Sequence, residues 1–337
     1  MTGPLPRNIT SQDVARRAGV SHMTVSRVFR HPDKVTKKTR DLVESVALEL
    51  GYVPSKVASG FKSDRTDLVA IVVPSIENSL FAPTINGLAE ALKPLGCDVV
   101  VSAYGNDTEF EEQVVQKLLS RRPVGLVLHG THHSKKCESL LRSAKTPLIE
   151  VGDLIETPID HVISFSNFDA AKAMTTHLIG VGYRKIALVG LDPRNNDRAR
   201  LRLEGYKSAL LEAGLDFDPA FVKAATPGFE AGATAVREIV ESSQGVDAVF
   251  CSGDVHAIGA LLECKKRGWR VPKDIAIAGF DDHEIATHLD PALTTLSLPR
   301  MEIGTLAGQL IARYLASEEL EPTSMDVGFS ILERDST

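Results

Sequence analysis

Residues 10–31 constrain this chain more than any other segment. They run Thr-Ser-Gln-Asp-Val-Ala-Arg-Arg-Ala-Gly-Val-Ser-His-Met-Thr-Val-Ser-Arg-Val-Phe-Arg-His, which predicts two short helices joined by a tight turn. Thr10 is placed to cap the first helix, and Asp13 follows three residues later, where a capping partner belongs. Val14 and Ala18 share one face, and Val20, Val25 and Val28 can close over them. Gly19 supplies the bend and Ser21 a cap for the second helix. His22, Met23, Ser26, Arg27 and Arg30 are left on the outer face. A short, polar, cationic helix of this kind fits a groove of DNA.

Charge is distributed accordingly. The whole chain of 337 residues has a formal net charge of −6, which by itself argues against nucleic acid. Residues 1–62, however, hold 11 Lys and Arg against 5 Asp and Glu, a net of +6, which leaves −12 on the remainder. A basic head on an acidic body is the asymmetry of a DNA reader fused to something that does not touch phosphate.

A chain of this length exceeds one ordinary core, so two or three domains are expected. No apolar run approaches the roughly 18–20 residues of a membrane span. The opening Met-Thr-Gly-Pro-Leu-Pro-Arg has no apolar segment of the secretory kind. Cys97, Cys137, Cys251 and Cys264 are scattered and read as reduced thiols. The expected location is the cytoplasm.

After the first two helices a third is predicted from Thr36 to Gly51, with Leu42, Val43, Val46, Ala47 and Leu50 at helical spacing. Pro54 breaks the chain, and the stretch to Lys62 is a linker able to become helical on a partner. From Leu68 onward strands alternate with helices: strands near 68–73, 98–101, 124–128 and 147–151, then near 185–190, 221–223, 247–251 and 274–279, with a helix between each pair. This rhythm implies parallel sheets covered on both faces, in two half-bodies around a cleft. A helix near 301–316 and strands near 294–297 and 326–333 are expected to cross back and complete both lobes. Ligands in such sheets bind outside the carboxyl ends of the strands.

Several landmarks coincide. They are Asp-Val-Ala-x-x-Ala-Gly-Val-Ser-x-x-Thr-Val-Ser-Arg from Asp13, Gly-Tyr-Val-Pro from Gly51, and Pro-Ser-Ile-Glu-Asn from Pro74 through Phe81. Val-Pro-x-Asp-Ile from Val271, Gly-Phe-Asp-Asp from Gly279 and Pro-x-Leu-Thr-Thr from Pro291 follow in order. Over nearly its whole length the chain resembles the lactose-repressor (LacI) family of transcription regulators, and within it the gluconate-repressor-like branch. The narrower likeness rests on Met-Thr-Val-Ser-Arg from Met23, Met174-Thr-Thr, Val-Phe-Cys ending at Cys251, Glu263-Cys264 and the Ile275–Gly279 stretch. The resemblance implies an all-α helix-turn-helix head followed by an α/β body of two lobes with parallel sheets, like periplasmic binding proteins. It implies a head over 1–53, a hinge over 54–66 and an effector-binding and dimerisation domain over 67–337. Lobe 1 is expected over 67–165 and 296–325, and lobe 2 over 166–295 and 326–337. A homodimer, possible as a tetramer, would read a pseudo-palindromic double-stranded operator, because one helix-turn-helix reads half a site.

By motif position, His22, Met23 and Arg27 look like base-reading residues, with Arg27 suited to a bidentate contact on guanine. Ser21, Thr24, Ser26 and Arg30 suit phosphates, which set register. In the hinge, Lys56 joins the DNA-binding set, and Phe61 stands where relatives place a leucine wedge for the minor groove. Gly60 weakens any hinge helix there, and the alternative is that Phe61 packs on the body.

For the effector, motif position implies Asn78, Phe81, Arg202 and Asp281, with His129, Phe165, Asn167 and Phe229 as further contacts. Asp281 can accept from vicinal hydroxyls, and Arg202 can give two parallel bonds to a carboxylate or two sugar oxygens. Phe81 and Phe229 read equally as plain core, and His129 as a strand-end cap. Arg198 and Arg200 read as a solvated helix face or an ion-pair set. Gly253-Asp254 departs from the Asn-Asp that many relatives carry, so one side-chain contact to the ligand is lost or replaced. The favoured effector is a sugar acid, gluconate or 2-ketogluconate or a phosphorylated relative, ahead of a neutral sugar, a sugar phosphate or a nucleobase.

An enzyme is the competing class. Asp281-Asp282 lacks a neighbouring base, and His132-His133 with Cys137 lacks a fourth ligand at usable spacing, so no metal is expected. No phosphate loop, nucleophile elbow or dinucleotide fingerprint is present, and no cofactor is expected. A sugar-binding transport protein is the third reading; the basic head opposes it.

Overall fold

The structure, a computed structural model, describes residues 9–53, 66–194, 196–242 and 245–337. The chain divides into two compact units, Met1–Thr66 and Asp67–Thr337.

In the first unit, α1 (Ser11–Ala18), α2 (His22–Arg30) and α3 (Lys37–Leu50) enclose Val14, Val25, Val28, Val43, Val46 and Ala47. The Thr10 side chain accepts from Asp13 N, and the Asp13 carboxylate accepts from Thr10 N at 3.0 Å, so two orphan amides are satisfied reciprocally. Gly19 ends α1 at φ 68°, a left-handed conformation that costs glycine nothing. Ser21 then caps α2 by accepting from Thr24 N at 3.1 Å. Thr36 and Gly51 bound α3. The turn chemistry is thus local, and the valines on the inner faces lock it into a three-helix head.

The second unit holds two parallel sheets. The first contains β1 (Leu68–Val73), β2 (Asp98–Ala103), β3 (Gly125–His129), β4 (Leu148–Val151), β5 (His161–Ser164) and β11 (Thr323–Asp326), in the order β11-β5-β4-β3-β1-β2. The second contains β6 (Ile186–Gly190), β7 (Val222–Ala224), β8 (Ala248–Cys251) and β9 (Ala276–Ala278), in the order β7-β6-β8-β9. Central strands such as β1 and β3 are buried on both faces, which explains their unbroken apolar runs.

Helices α4 (Ala82–Leu92), α5 (Thr108–Leu119), α6 (Lys135–Ser143) and α11 (Arg300–Leu315) cover the first sheet. Helices α7 (Asn167–Val181), α8 (Asp197–Glu212), α9 (Phe229–Glu241) and α10 (Asp254–Arg267) cover the second. The α4–α11 pair packs backbone to backbone. A Cβ on Gly304 would stand 2.0 Å from the Thr84 carbonyl oxygen, and one on Gly87 would stand 2.2 Å from that of Met301.

The C-terminal region departs from expectation in one respect. The expected strand near 326–333 is two strands in different sheets: β11 lies beside β5, and β12 (Ser330–Leu332) pairs antiparallel with β10 (Thr295–Ser297). The chain turns between them at Gly328 (φ 69°), whose N–H donates to Asp326. Ser336 then binds Ile277 through both backbone and hydroxyl, returning the terminus to the second sheet. The chain therefore passes between the lobes at 164–167, 297–300 and 326–330. The expected hinge over 54–66 lies outside the described residues except for Thr66.

Candidate functional site

In the head, α2 carries the residues singled out for DNA. Met23 is 68% exposed, and His22, Arg27 and Arg30 are exposed on the same helix. Arg27 has no ion-pair partner among the described residues, whereas Arg17 is engaged by Glu49 at 2.7 Å. Ser21 and Thr24 share a hydroxyl–hydroxyl bond of 2.8 Å at the start of α2, where amides and hydroxyls converge as they do at anion sites. His22 Nε2 lies 2.8 Å from Ser11 Oγ, which ties its ring to α1. Ser26 is half-buried, on the flank of α2. Lys56 and Phe61 lie outside the described residues.

In the second unit, a cavity of about 410 Å³ opens between the two sheets at the carboxyl ends of their strands. Asn78, Phe81, His129, Phe165, Arg202, Phe229 and Asp281 all line it. Phe229 is half-exposed at the first residue of α9 and forms part of the rim. Phe81 meets the His129 ring edge-on at 4.6 Å. Phe165 is buried against Phe280 and forms an apolar floor.

Asn167 is the exception among these residues. It is fully buried and absent from the wall. Its amide donates to Gly152 O at 2.7 Å and Asp153 Oδ1 at 2.8 Å, and its Oδ1 accepts from Arg202 Nε at 2.8 Å. With its polar atoms committed, Asn167 positions Arg202 and does not itself face a ligand.

Arg202 is held on several sides. Its Nη1 donates to the Ser252 carbonyl, and its guanidinium lies 3.7 Å over the Phe280 ring. Burial pulls its pKa down to about 10, Asp281 opposing that shift and Arg300 and Arg198 adding to it. The guanidinium is thus pre-oriented and short of counter-charge.

Of the two readings of Arg198 and Arg200, an ion-pair set holds for both, Arg198 lying 3.7 Å from Asp197, but a solvated face requires correction for Arg198. Arg198 is buried and lines the cavity, with Nη1 2.5 Å from His129 Nδ1 and Nη2 donating to Asn106 Oδ1 at 2.8 Å. Arg198 lies one helical turn before Arg202, so both share a face of α8, and that spacing was the available signal. Arg200, two residues off that face, pairs with Glu204 on the surface. Burial, and then the Arg198 and Arg300 charges, hold His129 well below the usual imidazole value. The ring is neutral, so Nδ1 accepts from Arg198 and the proton sits on Nε2.

Two further cavity residues escaped the sequence reading. Arg300, in the first turn of α11, donates to Asp281 Oδ1 at 2.5 Å from the opposite lobe. Nothing in its local sequence marks it. His256 uses Nε2 on the Thr226 carbonyl at 2.9 Å and leaves Nδ1 buried without a partner among the described residues. Beside it, Gly253 is extended, and a Cβ there would meet nothing closer than 3.9 Å. The side chain missing at this position therefore leaves open cavity.

Asp254, next along, is buried and faces inward. It accepts from Thr295 Oγ1 at 2.6 Å and His283 N at 2.7 Å. Burial, and then the Asp281 charge, push its pKa up to about 7. At the mouth, Ser79 Oγ lies 3.1 Å from His283 Nε2 across the cleft.

Comparison with known proteins agrees with this geometry. Residues 10–55 match the family model described as bacterial regulatory proteins, lacI family, and residues 175–337 match a periplasmic binding protein-like domain. The chain is 31% identical to the HTH-type transcriptional regulator GntR of Escherichia coli K12 over 95% of this chain and 96% of that protein. A LacI-family transcriptional regulator from Silicibacter pomeroyi superposes with a TM-score of 0.89 at 32% identity, over 97% of this chain and 99% of that one. The lac repressor dimer bound to operator and the anti-inducer ONPF superposes with a TM-score of 0.78 at 25% identity, over 98% and 99%. Among the described residues no helix is long and apolar enough to cross a membrane.

Proposed function

This chain belongs to the lacI family of bacterial regulatory proteins, and we propose that it is a repressor whose hold on an operator is set by a sugar acid in the interlobe cavity. It is a DNA-binding transcriptional regulator and not an enzyme, as its family is. We place it in the cytoplasm, as a homodimer on a pseudo-palindromic site, in keeping with the lac repressor dimer that it resembles. In this reading Ser21, His22, Met23, Thr24, Ser26, Arg27 and Arg30 meet DNA, with Lys56 and Phe61 of the linker joining them.

The observation that carries the effector class is the convergence of Arg198, Arg202 and Arg300 on one cavity, where the Asp281 carboxylate is already taken by Arg300. A carboxylate entering there receives charge-assisted bonds and supplies the missing counter-charge. Asn78, His129 Nε2 and His256 Nδ1 are left to meet hydroxyl groups, and Phe81 and Phe165 to pack on the carbon chain. Likeness to the regulator GntR, together with the gluconate-repressor-like motifs, favours gluconate or 2-ketogluconate.

The mechanism is a shift between two lobe arrangements. The links from Arg198 to His129 and from Arg300 to Asp281 join one lobe to the other. A ligand that accepts from those arginines better in one arrangement moves the equilibrium toward it, and equal affinity would move nothing. Coupling of about 1–3 kcal/mol is usual for such devices.

The test is calorimetric titration of the full chain with gluconate, 2-ketogluconate, glucose, glucose 6-phosphate and adenine, followed by a salt-controlled gel shift on promoter DNA. The expected result is binding of the aldonates without binding of glucose, and a change in operator affinity with the same ligands. Binding of glucose or adenine in place of the aldonates would sink the sugar-acid reading.

A further inference from the structure

Away from the cavity, the first lobe buries a second cluster of chemically capable side chains. Glu111 on α5, His133 before α6 and Cys137 on α6 are each buried, and one donor atom from each lies within 4.8 Å of the others. Nδ1 of His133 is 2.9 Å from Glu111 Oε2. On the other edge of the ring, Nε2 lies 3.5 Å from Glu150 Oε1 on β4 and makes no hydrogen bond among the described residues, although the side chain is only 1% exposed. Glu150 is itself anchored, accepting from Ile159 N at 2.8 Å.

We propose that Glu111, His133 and Cys137 form a structural site for a divalent transition metal, Zn²⁺ by donor type, with Glu150 as the carboxylate that orients the histidine.

Nitrogen, sulfur and oxygen donors together suit Zn²⁺ and exclude the hard oxygen-seeking cations. Metal–donor distances of about 2.0–2.3 Å place tetrahedral donors roughly 3.3–3.8 Å apart, so the cluster has only to contract. A ligating histidine ordinarily gives its other ring N–H to a carboxylate, and Glu150 stands where that partner belongs. Binding takes a thiolate and a free ring nitrogen, so the thiol proton and any proton on the ligating nitrogen leave to solvent.

Spacing along the chain offers His133 and Cys137 but not Glu111, which comes from 22 residues upstream of His133. His132, its sequence neighbour, is exposed and takes no part. The fourth position is left to water or to the second oxygen of Glu111. The cluster also adjoins the effector cavity: His133 follows His129 by four residues, and Tyr104 Oη beneath them donates to the His129 carbonyl at 3.1 Å. A metal here fastens the segment that leads out of β3.

The test uses the full-length protein, stripped with chelator and titrated with Co²⁺ and then Zn²⁺. The expected result is one Co²⁺ per chain with a thiolate-to-metal band in the near ultraviolet, displaced by Zn²⁺. Cys137→Ser should abolish that band, Glu111→Gln should weaken binding at least tenfold, and Cys264→Ser should leave the band intact. Should Cys137→Ser fail to fold, wild-type protein at intermediate urea decides, because Zn²⁺ must then protect Cys137 from alkylation. A folded protein that shows no thiolate band, a band that survives Cys137→Ser, or alkylation of Cys137 indifferent to Zn²⁺ overturns the proposal and leaves the cluster as a buried ion pair.

Discussion

Arg198 of α8 closes on His129 of β3 with Nη1 2.5 Å from Nδ1, so a cation of one lobe is spent on a neutral ring of the other. That bond shields one of the cavity's arginines until a better acceptor arrives. Arg198→Ala removes both a ligand donor and the second-largest cause of the depressed His129 pKa. Gluconate affinity should fall by about 1.5–3 kcal/mol, the worth of a hydrogen bond to a charged group. In the same variant the His129 imidazole should titrate at higher pH, while staying below the usual value because burial remains. Calorimetry and histidine NMR titration check the two halves separately.

Asp254 makes stability depend on pH. Its carboxyl is raised to about 7 in the folded chain, against about 3.9 when unfolded. Between those values the native state holds a proton that the unfolded state has lost. Stability therefore declines as pH rises from about 4 to about 7 and levels off above that. Asp254→Asn should flatten this slope, since the amide can still accept from His283 N and donate to Thr295 Oγ1. Urea melts at pH 5 and pH 8 on both proteins decide the matter; equal slopes would rule Asp254 out as the source.

Gly253 offers a specificity switch. Its backbone is extended and its missing Cβ faces open cavity. Gly253→Asn should leave the melting midpoint nearly unchanged, within the roughly 0.5 kcal/mol of an unstrained surface change. The ratio of gluconate to glucose affinity should nonetheless move at least threefold. A constant ratio would mean that position 253 does not reach the ligand.

On the head, Arg27 and Met23 should separate by what they change. Arg27→Ala is expected to cost about 1–3 kcal/mol of discrimination at one base pair. Met23→Ala should weaken preference at a position carrying a thymine methyl while leaving the salt slope intact, because no phosphate contact is lost. Binding-site selection on randomised half-sites measures both; identical site preferences before and after would remove these residues from the base-reading set.

The α4–α11 packing predicts a purely structural lesion. Gly304→Val places a side chain against the Thr84 backbone, which cannot swing aside as a side-chain end would. Destabilisation of about 1–3 kcal/mol or more is expected from such overpacking, with DNA binding by the folded fraction unaffected. A thermal midpoint equal to that of the parent protein would show that the two helices part freely.

What can be read along the chain is what neighbours in sequence decide. The caps at Thr10 and Ser21, the left-handed bend at Gly19 and the apolar runs of β1, β3 and β8 are local matters of backbone geometry and hydrophobic period, and the alternation of strand and helix follows from them. The split of the last strand at Gly328 was less legible, because a glycine within an extended run does not say which sheet each half will join.

The cavity chemistry was decided only by the fold. Arg198 and Arg200 look alike in sequence, but one is buried against His129 and the other exposed beside Glu204. Asn167 had the composition of a ligand contact and is consumed by Arg202 and Asp153. Arg300 acquires its role from Asp281, 19 residues away and in the other lobe, and Glu111 meets His133 across 22. Charge and hydrogen-bonding capacity belong to a residue type, but whether they are free to act depends on partners that only long-range packing brings within 3 Å, and no periodicity in the chain encodes those pairings.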